Sequence, residues 1–406
     1  MNTCRSCGSA VLDPILSLGN TPLANALITE IDLSKPEPTF PLDLVFCHGC
    51  SLVQITEEVP PEMMFSEYLY FSSFSETMLE HAKAIAERLV KERRLNKQSL
   101  VIEIASNDGY LLQNYDKATV PVLGVEPAKN VAKVAEEKGI PTLVEFFGKE
   151  LAIELSEAGK NADVVHANNV LAHVPDLNGV VAGISQLLKD DGVAVVECPY
   201  VRDLVDKCEF DTIYHEHLCY FSLTSLVRLM GQHELYIHDV ERLEIHGGSL
   251  RIFVSKKGAF ERSDRVRDLL RNEVSVGVDK FAFYADFAGR VSGLKRELVA
   301  TLADLRSKGA RIAAYGAAAK GATLANFFGI DGAEIDFVVD RNTYKQGRYM
   351  PGARIPIRSP SLLVDRKPEY CLLFAWNFAD EILEQQREYR ENGGKFIIPI
   401  PSVRIV

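Results

Sequence analysis

Short apolar runs alternate with longer amphipathic stretches through the middle of the chain. Four of these runs have the length and composition of buried strands, at residues 100–104, 122–125, 162–166 and 192–197. Helix-periodic segments separate them, such as 177–188, which has apolar residues at every third or fourth position. Strands and helices that alternate in this way form βαβ units, whose strands run parallel in one sheet. The pattern therefore predicts an α/β fold with a Rossmann-like central sheet.

The same pattern restarts in the C-terminal third. Strands are predicted at 311–315, 334–339 and 371–375, and the small-residue loop after the first of them opens a helix. The charged, helix-periodic residues between the two α/β units predict one or two bridging helices. The predicted parts are a small N-terminal domain (1–66), a central domain (67–258), the bridging helices (259–307) and a second Rossmann-like domain (308–406).

Length and composition are those of an ordinary globular protein of about two to three domains. Its 406 residues are 47% apolar and 25% charged, which provides ample core. The formal net charge of −11 argues against nucleic acid as a partner, since that partner needs a basic face. Residues 1–10 lack the pattern of a secretory signal, and no apolar run has the length that crosses a bilayer. We therefore expect a cytoplasmic protein with reduced cysteines and no membrane partner.

Four of the eight cysteines form two Cys-x-x-Cys pairs, Cys4 with Cys7 and Cys47 with Cys50. Each such turn aims two thiolates at one metal ion, so the two pairs supply a closed tetrahedral zinc site. Disulfides and a redox role are the alternatives. The first is rare in a reducing compartment, and the second would not need two pairs. We expect Zn²⁺ that folds the N-terminal domain and takes no part in catalysis.

The first strand of the central sheet ends in a small-residue loop with a single glycine. Such a loop lets a ligand approach the backbone closely, but it lacks the three-glycine pattern of a dinucleotide site. Glu126 follows the second strand, where a carboxylate suits the two hydroxyls of a ribose. Parallel topology predicts that five polar residues lie together at the carboxyl ends of the strands: Asp108, Glu126, Asn168, Asn169 and His173. This edge is the predicted cofactor site.

A second cluster of titratable side chains lies at Tyr214-His215-Glu216-His217. Imidazole, carboxylate and phenol are the groups that move protons at neutral pH. The alternative is a polar turn whose histidines cap a helix or face solvent. In an extended segment, His215 and His217 would face opposite ways. The spacing is too close for a helical metal site of the HExxH kind, so no catalytic metal is expected.

The motifs around these residues resemble a known family. EIASNDGYLL at 103–112, GVEP at 124–127 and the stretch 166–176 resemble class I S-adenosylmethionine-dependent methyltransferases. With the cysteine pairs and YHEHLCYFS at 214–222, the whole chain resembles the sugar C-methyltransferases of deoxysugar biosynthesis. The resemblance implies that S-adenosyl-L-methionine is held by Glu103, Asn107, Asp108, Gly109, Tyr110, Glu126, Pro127, Asn168 and Asn169.

Members of that family methylate a carbon next to the ketone of a nucleotide-linked 4-keto-6-deoxysugar, most often C3 and in some members C5. The resemblance assigns His217 as the base that forms an enolate. It places Tyr214 and Glu216 at the sugar site, His173 at the enolate oxygen, and Tyr68 in the active-site cleft. The side chains present suit that chemistry, since an enolate needs a base and a hydrogen-bond donor.

Further substrate contacts are predicted outside this cluster. One candidate is a near neighbour of Tyr68, two lie in the turn and strand at 246–251, and three lie on loops of the second Rossmann-like domain, where a diphosphate or nucleotide would bind. For the glycine-rich turns, simple packing is the alternative. These predicted contacts are Tyr70, Ser249, Arg251, Gly316, Lys320 and Asn377.

Two other interpretations of the chain stay open at this point. One is an NAD-dependent nucleotide-sugar oxidoreductase, which the missing three-glycine pattern disfavours. The other is a zinc-ribbon interaction protein with a degenerate methyltransferase fold. The sequence leaves open the nucleotide (dTDP, GDP or CDP), the methylated position and the oligomeric state. A thermal shift with S-adenosylhomocysteine, with NAD or with neither separates the three interpretations.

Overall fold

Three β-sheets organise the protein in a computed structural model, which describes residues 3–60 and 72–406. The strands are β1 (Leu12–Pro22), β2 (Thr39–Cys47), β3 (Val53–Ile55), β4 (Val101–Ile104), β5 (Val122–Val125), β6 (Thr142–Leu143), β7 (Ala162–Asn168), β8 (Leu188–Pro199), β9 (Cys219–Tyr220), β10 (Leu235–Leu243), β11 (Ser249–Lys256), β12 (Ile312–Tyr315), β13 (Val338–Val339), β14 (Ile357–Arg358), β15 (Tyr370–Leu373), β16 (Lys395–Ile398) and β17 (Arg404–Ile405).

The α-helices cover the sheets and connect them. They are α1 (Glu76–Glu92), α2 (Leu112–Lys117), α3 (Lys129–Glu137), α4 (Lys149–Glu157), α5 (Leu177–Leu187), α6 (Val201–Asp206), α7 (Leu223–Gln232), α8 (Asp264–Val276), α9 (Phe287–Ser307), α10 (Ala319–Phe328), α11 (Ser361–Arg366), α12 (Ala379–Gln385) and α13 (Arg387–Glu391). Within the described ranges, none of them combines the length and apolar character that a membrane crossing requires.

The N-terminal sheet is antiparallel, in the order β1-β2-β3-β9. Its fourth strand comes from far along the chain: Tyr220 pairs with Val53, and Cys219 with Gln54. Because β9 lies directly after the Tyr214–His217 motif, the sheet of the N-terminal domain anchors the carboxyl end of that motif.

The central sheet has the order β10-β11-β8-β7-β4-β5-β6. Strands β8, β7, β4, β5 and β6 are parallel, and the antiparallel hairpin β10–β11 extends one side. The four predicted strands are present, and the helix predicted at 177–188 is α5. The α/β class of the central domain is therefore confirmed, because strands with buried, mostly apolar runs alternate with helices as the apolar pattern indicated.

The C-terminal sheet is mainly parallel, in the order β14-β13-β12-β15-β16-β17. The strand predicted at 334–339 is shorter than expected and comprises only Val338–Val339. The reason is local: the carbonyl of Asp331 accepts from the backbone N–H groups of Glu334 and Ile335, and this turn takes the first residues out of the sheet.

One apolar core runs through the three sheets, with buried members from Cys4 to Ile400. The bridging segment forms two helices, α8 and α9, and α9 buries one face along its length: Phe287, Val291, Leu294, Leu298, Leu302 and Leu305. The three sheets therefore meet through packed apolar surface, and the polar residues discussed below lie where the sheets converge.

Candidate active site

The four paired cysteines converge on one point in the N-terminal domain. Their Sγ atoms all lie within 4.8 Å of one another, with 3.4 Å between Cys4 and Cys50 and 3.5 Å between Cys7 and Cys47. A tetrahedral zinc ion with Zn–S bonds of about 2.3 Å needs S–S separations of about 3.8 Å, so the ligands fit it. Four thiolates leave no open coordination position, and the zinc site is structural.

His48, which lies between two of the zinc ligands in sequence, points elsewhere. Its Nε2 lies 2.8 Å from an Asp13 carboxylate oxygen, and its ring packs edge-on against Phe46. This placement of His48 agrees with the expectation, from the sequence, that cysteines alone hold the metal.

The predicted cofactor edge is a set of buried polar groups at the carboxyl ends of β4, β5 and β7. Glu126 accepts from the backbone N–H groups of Asn107 (2.9 Å) and Ala128 (2.8 Å), which fixes the loop after β4. Residues Ala105, Asn107 and Asn169 have positive φ angles, a conformation that non-glycine residues adopt rarely. Strain of this kind at strand ends accompanies ligand sites.

Several oxygens at this edge are buried and have no hydrogen-bond partner among the described residues. They are Glu103 Oε2, Ser106 Oγ, Asp108 Oδ1 and Asn168 Oδ1. An unsatisfied buried polar atom is costly, so these atoms indicate a ligand that completes them. These acceptor oxygens fit S-adenosylmethionine, which brings ribose hydroxyls and an amino group as donors.

The electrostatics of the same edge favour a cation. Burial raises the pKa of Glu103 well above its ordinary value, and the nearby carboxylates of Glu126, Asp108 and Glu197 raise it further. Burial likewise raises the pKa of Glu126, against the opposing effect of its two backbone N–H partners. A ligand with a sulfonium and an ammonium group would relieve this concentration of acidic groups.

The Tyr214–His217 motif forms a hydrogen-bonded turn, in which the backbone N–H of His217 donates to the carbonyl of Tyr214 at 2.8 Å. The segment is therefore a turn and not extended, because this bond closes the chain on itself. The two histidines still separate. Nε2 of His215 lies 3.1 Å from the carbonyl oxygen of Pro41, in the N-terminal domain, whereas His217 faces the interior of the site.

His217 is held in one tautomer by its two neighbours. Its Nδ1 lies 2.8 Å from the carbonyl oxygen of Thr212. A carbonyl only accepts, so Nδ1 carries the proton and the neutral ring keeps its lone pair on Nε2. The hydroxyl of Tyr214 lies 2.8 Å from Nε2 and donates to it. His217 thus presents a basic nitrogen next to a phenol.

His173 connects this turn to the cofactor edge. It lies in the turn that follows β7, whose last residue is Asn168, and its ring meets the His217 ring edge-on at 4.7 Å. Burial lowers the pKa of His173 to about 4, although a hydrogen bond with the Glu216 backbone raises it. The ring is therefore neutral at pH 7. A neutral imidazole can donate a hydrogen bond without releasing a proton.

Glu216 ties the motif to the N-terminal domain and is influenced by a charge of the C-terminal domain. Its carboxylate accepts from Nδ2 of Asn25, in the N-terminal domain, at 2.7 Å. Burial raises the pKa of Glu216 to about 7, and the charge of Lys345, in the C-terminal domain, opposes this shift. Asn25, Lys345 and Thr212 were missed in the sequence. The only available signal was the polar Asn25 within the largely apolar stretch 22–28.

The remaining predicted contacts are more dispersed. Ser249 donates to the carbonyl of Ile245, and Arg251 forms ion pairs with Glu197 and Glu241 on neighbouring strands. Tyr68 and Tyr70 lie outside the described residues. Of the predicted catalytic residues, the structure therefore brings four together: Tyr214, Glu216, His217 and His173.

Gly316 and Asn377 follow neighbouring parallel strands of the C-terminal sheet. Gly316 directly follows β12, with φ +97°, and a Cβ there would lie 2.7 Å from that of Ala375. Asn377 lies in the 3-10 helix Trp376–Phe378, after β15. Lys320, on the first turn of α10, places its amino group 4.6 Å from the centroid of the Trp376 ring, and its charge interacts with the carboxyls of Asp211 and Glu209.

Glu216→Gln tests the raised pKa of this carboxyl through stability. A carboxyl whose pKa rises from 4.5 to about 7 on folding stabilises the fold fully below about pH 4.5, and this contribution is lost as the pH rises through 7. Glutamine keeps the acceptor for Asn25 and never ionises. In urea unfolding we therefore expect the free energy of unfolding of wild type to fall by roughly 3 kcal/mol, relative to that of the variant, between pH 5 and pH 8. The exposed Glu261→Gln variant should show no such gap, and an equal gap at both pH values would contradict a titrating Glu216.

Comparison with protein-family models supports the same division of the chain. A putative zinc binding domain matches residues 4–65, a methyltransferase domain matches 76–240, and a C-methyltransferase C-terminal domain matches 244–401. The protein belongs to the S-adenosylmethionine-dependent C-methyltransferases that carry an N-terminal zinc-binding domain. This family assignment decides among the three interpretations of the sequence in favour of the methyltransferase.

Among individual relatives, the C-methyltransferase NovU of Streptomyces niveus is 36% identical over 407 residues, which covers 100% of this chain and 97% of NovU. Solved structures show more distant likeness. An S-adenosylmethionine-dependent methyltransferase of Clostridium acetobutylicum ATCC 824 is 15% identical and overlaps 44% of this chain and 91% of its own, with a TM-score of 0.35. The magnesium protoporphyrin IX methyltransferase of Synechocystis PCC 6803 is 13% identical and overlaps 44% and 79%, with a TM-score of 0.34.

Proposed function

We propose that the protein methylates C3 of a nucleotide-linked 4-keto-6-deoxysugar through an enolate, with His217 as the base. The hydrogen-bonded chain Thr212–His217–Tyr214 carries this proposal, because it leaves a basic Nε2 in a largely buried site beside the cofactor edge. A carbon next to a ketone is acidic enough for a positioned imidazole to deprotonate it. Methylation at carbon therefore matches both the family and the site.

Each of the neighbouring side chains has a task in this reaction. S-adenosylmethionine supplies an electrophilic methyl group on a sulfonium. His173 is placed at the developing enolate oxygen by the family resemblance. Its neutral ring has one N–H, which the Glu216 backbone engages, so the ring must exchange this partner for the enolate oxygen in order to donate to it. The hydroxyl of Tyr214 faces Nε2 of His217, so the substrate carbon displaces this hydroxyl or passes its proton through it. Glu216 ties the turn to Asn25 and so keeps His217 in place.

The nucleotide is proposed to bind at the C-terminal sheet. β12 and β15 are adjacent and parallel, with Tyr315 opposite Leu373, so the loops with Gly316 and Asn377 form one crevice at their carboxyl ends. Ligands of open α/β sheets bind in such crevices. Lys345 reaches from this domain toward Glu216, while its amino group donates to the Ala317 carbonyl at 2.8 Å. The sugar would then extend from this crevice toward His217.

Mass spectrometry with a panel of dTDP-, GDP- and CDP-linked 4-keto-6-deoxysugars tests the proposal. With S-adenosylmethionine, one member of the panel should gain one methyl group in place of a hydrogen at C3. With S-adenosylhomocysteine in deuterated water, the same sugar should instead exchange one hydrogen for deuterium at that carbon. Methylation at C5 would correct the position alone. Neither methylation nor exchange on any sugar of the panel would overturn the nucleotide-sugar assignment.

A further inference from the structure

A buried charged cluster joins the C-terminal domain to the turn that precedes the catalytic motif. It consists of Glu209, Asp211, Lys320 and Trp376. Asp211 is 0% exposed and Glu209 3%. Trp376 Nε1 donates to Asp211 Oδ2 at 2.6 Å, and the Lys320 amino group lies 4.6 Å from the centroid of the Trp376 ring.

The charges of this cluster depend on one another. Lys320 Nζ, Asp211 Oδ1 and Glu209 Oε1 are buried and make no hydrogen bond within the part of the chain that the structure describes. Burial raises the pKa of Asp211 to about 6 and that of Glu209 to about 7, and Lys320 opposes both shifts. Burial lowers the pKa of Lys320, and the two carboxyls oppose this in turn. Removing one charge would leave the others uncompensated in a dry environment.

Packing fixes the cluster to the C-terminal domain. The 3-10 helix Phe210–Thr212 lies against α10, where the ring of Phe210 stacks on that of Phe328 with centroids 4.9 Å apart and planes 18° apart. Lys320 stands on the first turn of the same α10. Asp211 is therefore held from the C-terminal domain by the indole N–H of Trp376 and by the stacking of its neighbour Phe210, and the charge of Lys320 acts on it from the same domain.

The same short helix holds the catalytic histidine at its other end. Thr212 follows Asp211 directly, and its carbonyl accepts the Nδ1–H of His217 at 2.8 Å. The hydroxyl of Thr212 donates to the Glu209 carbonyl at 2.8 Å, which makes residues 209–212 one rigid unit. A displacement of Asp211 is therefore passed to the carbonyl that sets the His217 tautomer.

We propose that Lys320 and Asp211 are positioning residues that hold the Thr212 carbonyl and thereby keep His217 protonated at Nδ1 and basic at Nε2. The C-terminal domain then orients the base as well as binding the nucleotide. The inference rests on the proposed role of His217. It gives Lys320 a task other than the diphosphate contact expected from the sequence, since its amino group lies over the Trp376 ring, whose N–H donates to Asp211, and its charge interacts with the carboxyls of Asp211 and Glu209.

Lys320→Met, Lys320→Arg and Asp211→Asn test this assignment in the full-length protein. Methionine keeps the packing over Trp376 without the charge, arginine keeps the charge, and asparagine keeps the acceptor for the indole. We expect Lys320→Met and Asp211→Asn to lower kcat by up to about 10²-fold with little change in KM, because a small misplacement of a catalytic group has effects of that size. Lys320→Arg should recover most of the rate.

Nitrogen NMR of histidine-labelled protein gives a readout that needs no substrate. With His217 assigned through a His217→Gln variant, wild type should show a protonated Nδ1, and both charge-removing variants should show a mixture of tautomers. An unchanged His217 signal in folded Lys320→Met and Asp211→Asn would overturn the proposal. So would a raised KM for the nucleotide sugar at unchanged kcat, which would make Lys320 a phosphate ligand. If no sugar of the panel were methylated, the NMR result on the His217 tautomer would still stand. The two proposals are therefore tested separately.

Discussion

Replacing His217 by asparagine is expected to lower the rate of methyl transfer about 10²- to 10⁴-fold, the usual contribution of a positioned general base. The amide nitrogen of asparagine occupies the place of Nδ1 and can still donate to the Thr212 carbonyl, which His217 engages at 2.8 Å. Only the basic Nε2 is lost. Affinity for S-adenosylhomocysteine should be unchanged, since the cofactor edge lies on other strands. Initial rates and deuterium exchange at the substrate carbon measure the effect.

Two further variants separate the role of His217 from that of its neighbours. His217→Gln places an amide near Nε2 and should be as slow as asparagine, because neither amide is basic. Tyr214→Phe removes the hydroxyl that lies 2.8 Å from Nε2 and should retain exchange, since the base then meets the substrate directly. Complete loss of exchange in Tyr214→Phe would place the phenol in the proton path. A His217→Asn enzyme within about tenfold of wild type would show that the base lies elsewhere.

Cys47→Ser is expected to abolish both zinc binding and methylation. Structural zinc contributes about 10–16 kcal/mol to the folding of small zinc domains, so a domain that loses one of its four thiolates loses most of its stability. The damage should extend to the active site, because Asn25 of this domain donates to Glu216 and β3 pairs with β9. Metal analysis, thermal unfolding and the methylation assay measure the three consequences.

Cys371→Ala is the matched control for that variant. Cys371 is a fully buried cysteine in the C-terminal sheet, outside the zinc site, and its replacement should leave the zinc content at one ion per chain. If Cys47→Ser lost its metal but kept a stable fold and full activity, the zinc would have no role in folding the N-terminal domain, contrary to our account.

The central fold was predictable because its signals are local. Each of the strands β4, β5, β7 and β8 contains a short, mostly apolar buried run, and α5 follows the 3.6-residue periodicity that its sequence shows. Where a local hydrogen bond competed, the prediction was wrong. Asp331 draws the start of the strand before Val338 into a turn, so this strand is shorter than predicted.

The site was predictable only in part, because its remaining partners are distant in sequence or belong to the backbone. Side-chain chemistry pointed to Tyr214, His217 and His173, which the structure brings together. The sequence could not point to the carbonyl of Thr212 as a partner of His217, since every residue has a backbone carbonyl. Asn25 meets Glu216 across 191 positions of the chain, a contact that only the assembled fold creates.

The pairing of β3 with β9 means that the zinc-binding segment is not a transferable module. A chimera that takes residues 3–60 from a relative must also match the partner strand at Cys219–Tyr220, or it leaves an unpaired sheet edge beside the catalytic turn. During synthesis on the ribosome, β3 emerges long before β9, so this edge of the sheet stays unpaired until β9 has been made. The turn with His217 lies just before β9, so we expect a chain with a misfolded N-terminal domain to leave this turn without its anchor.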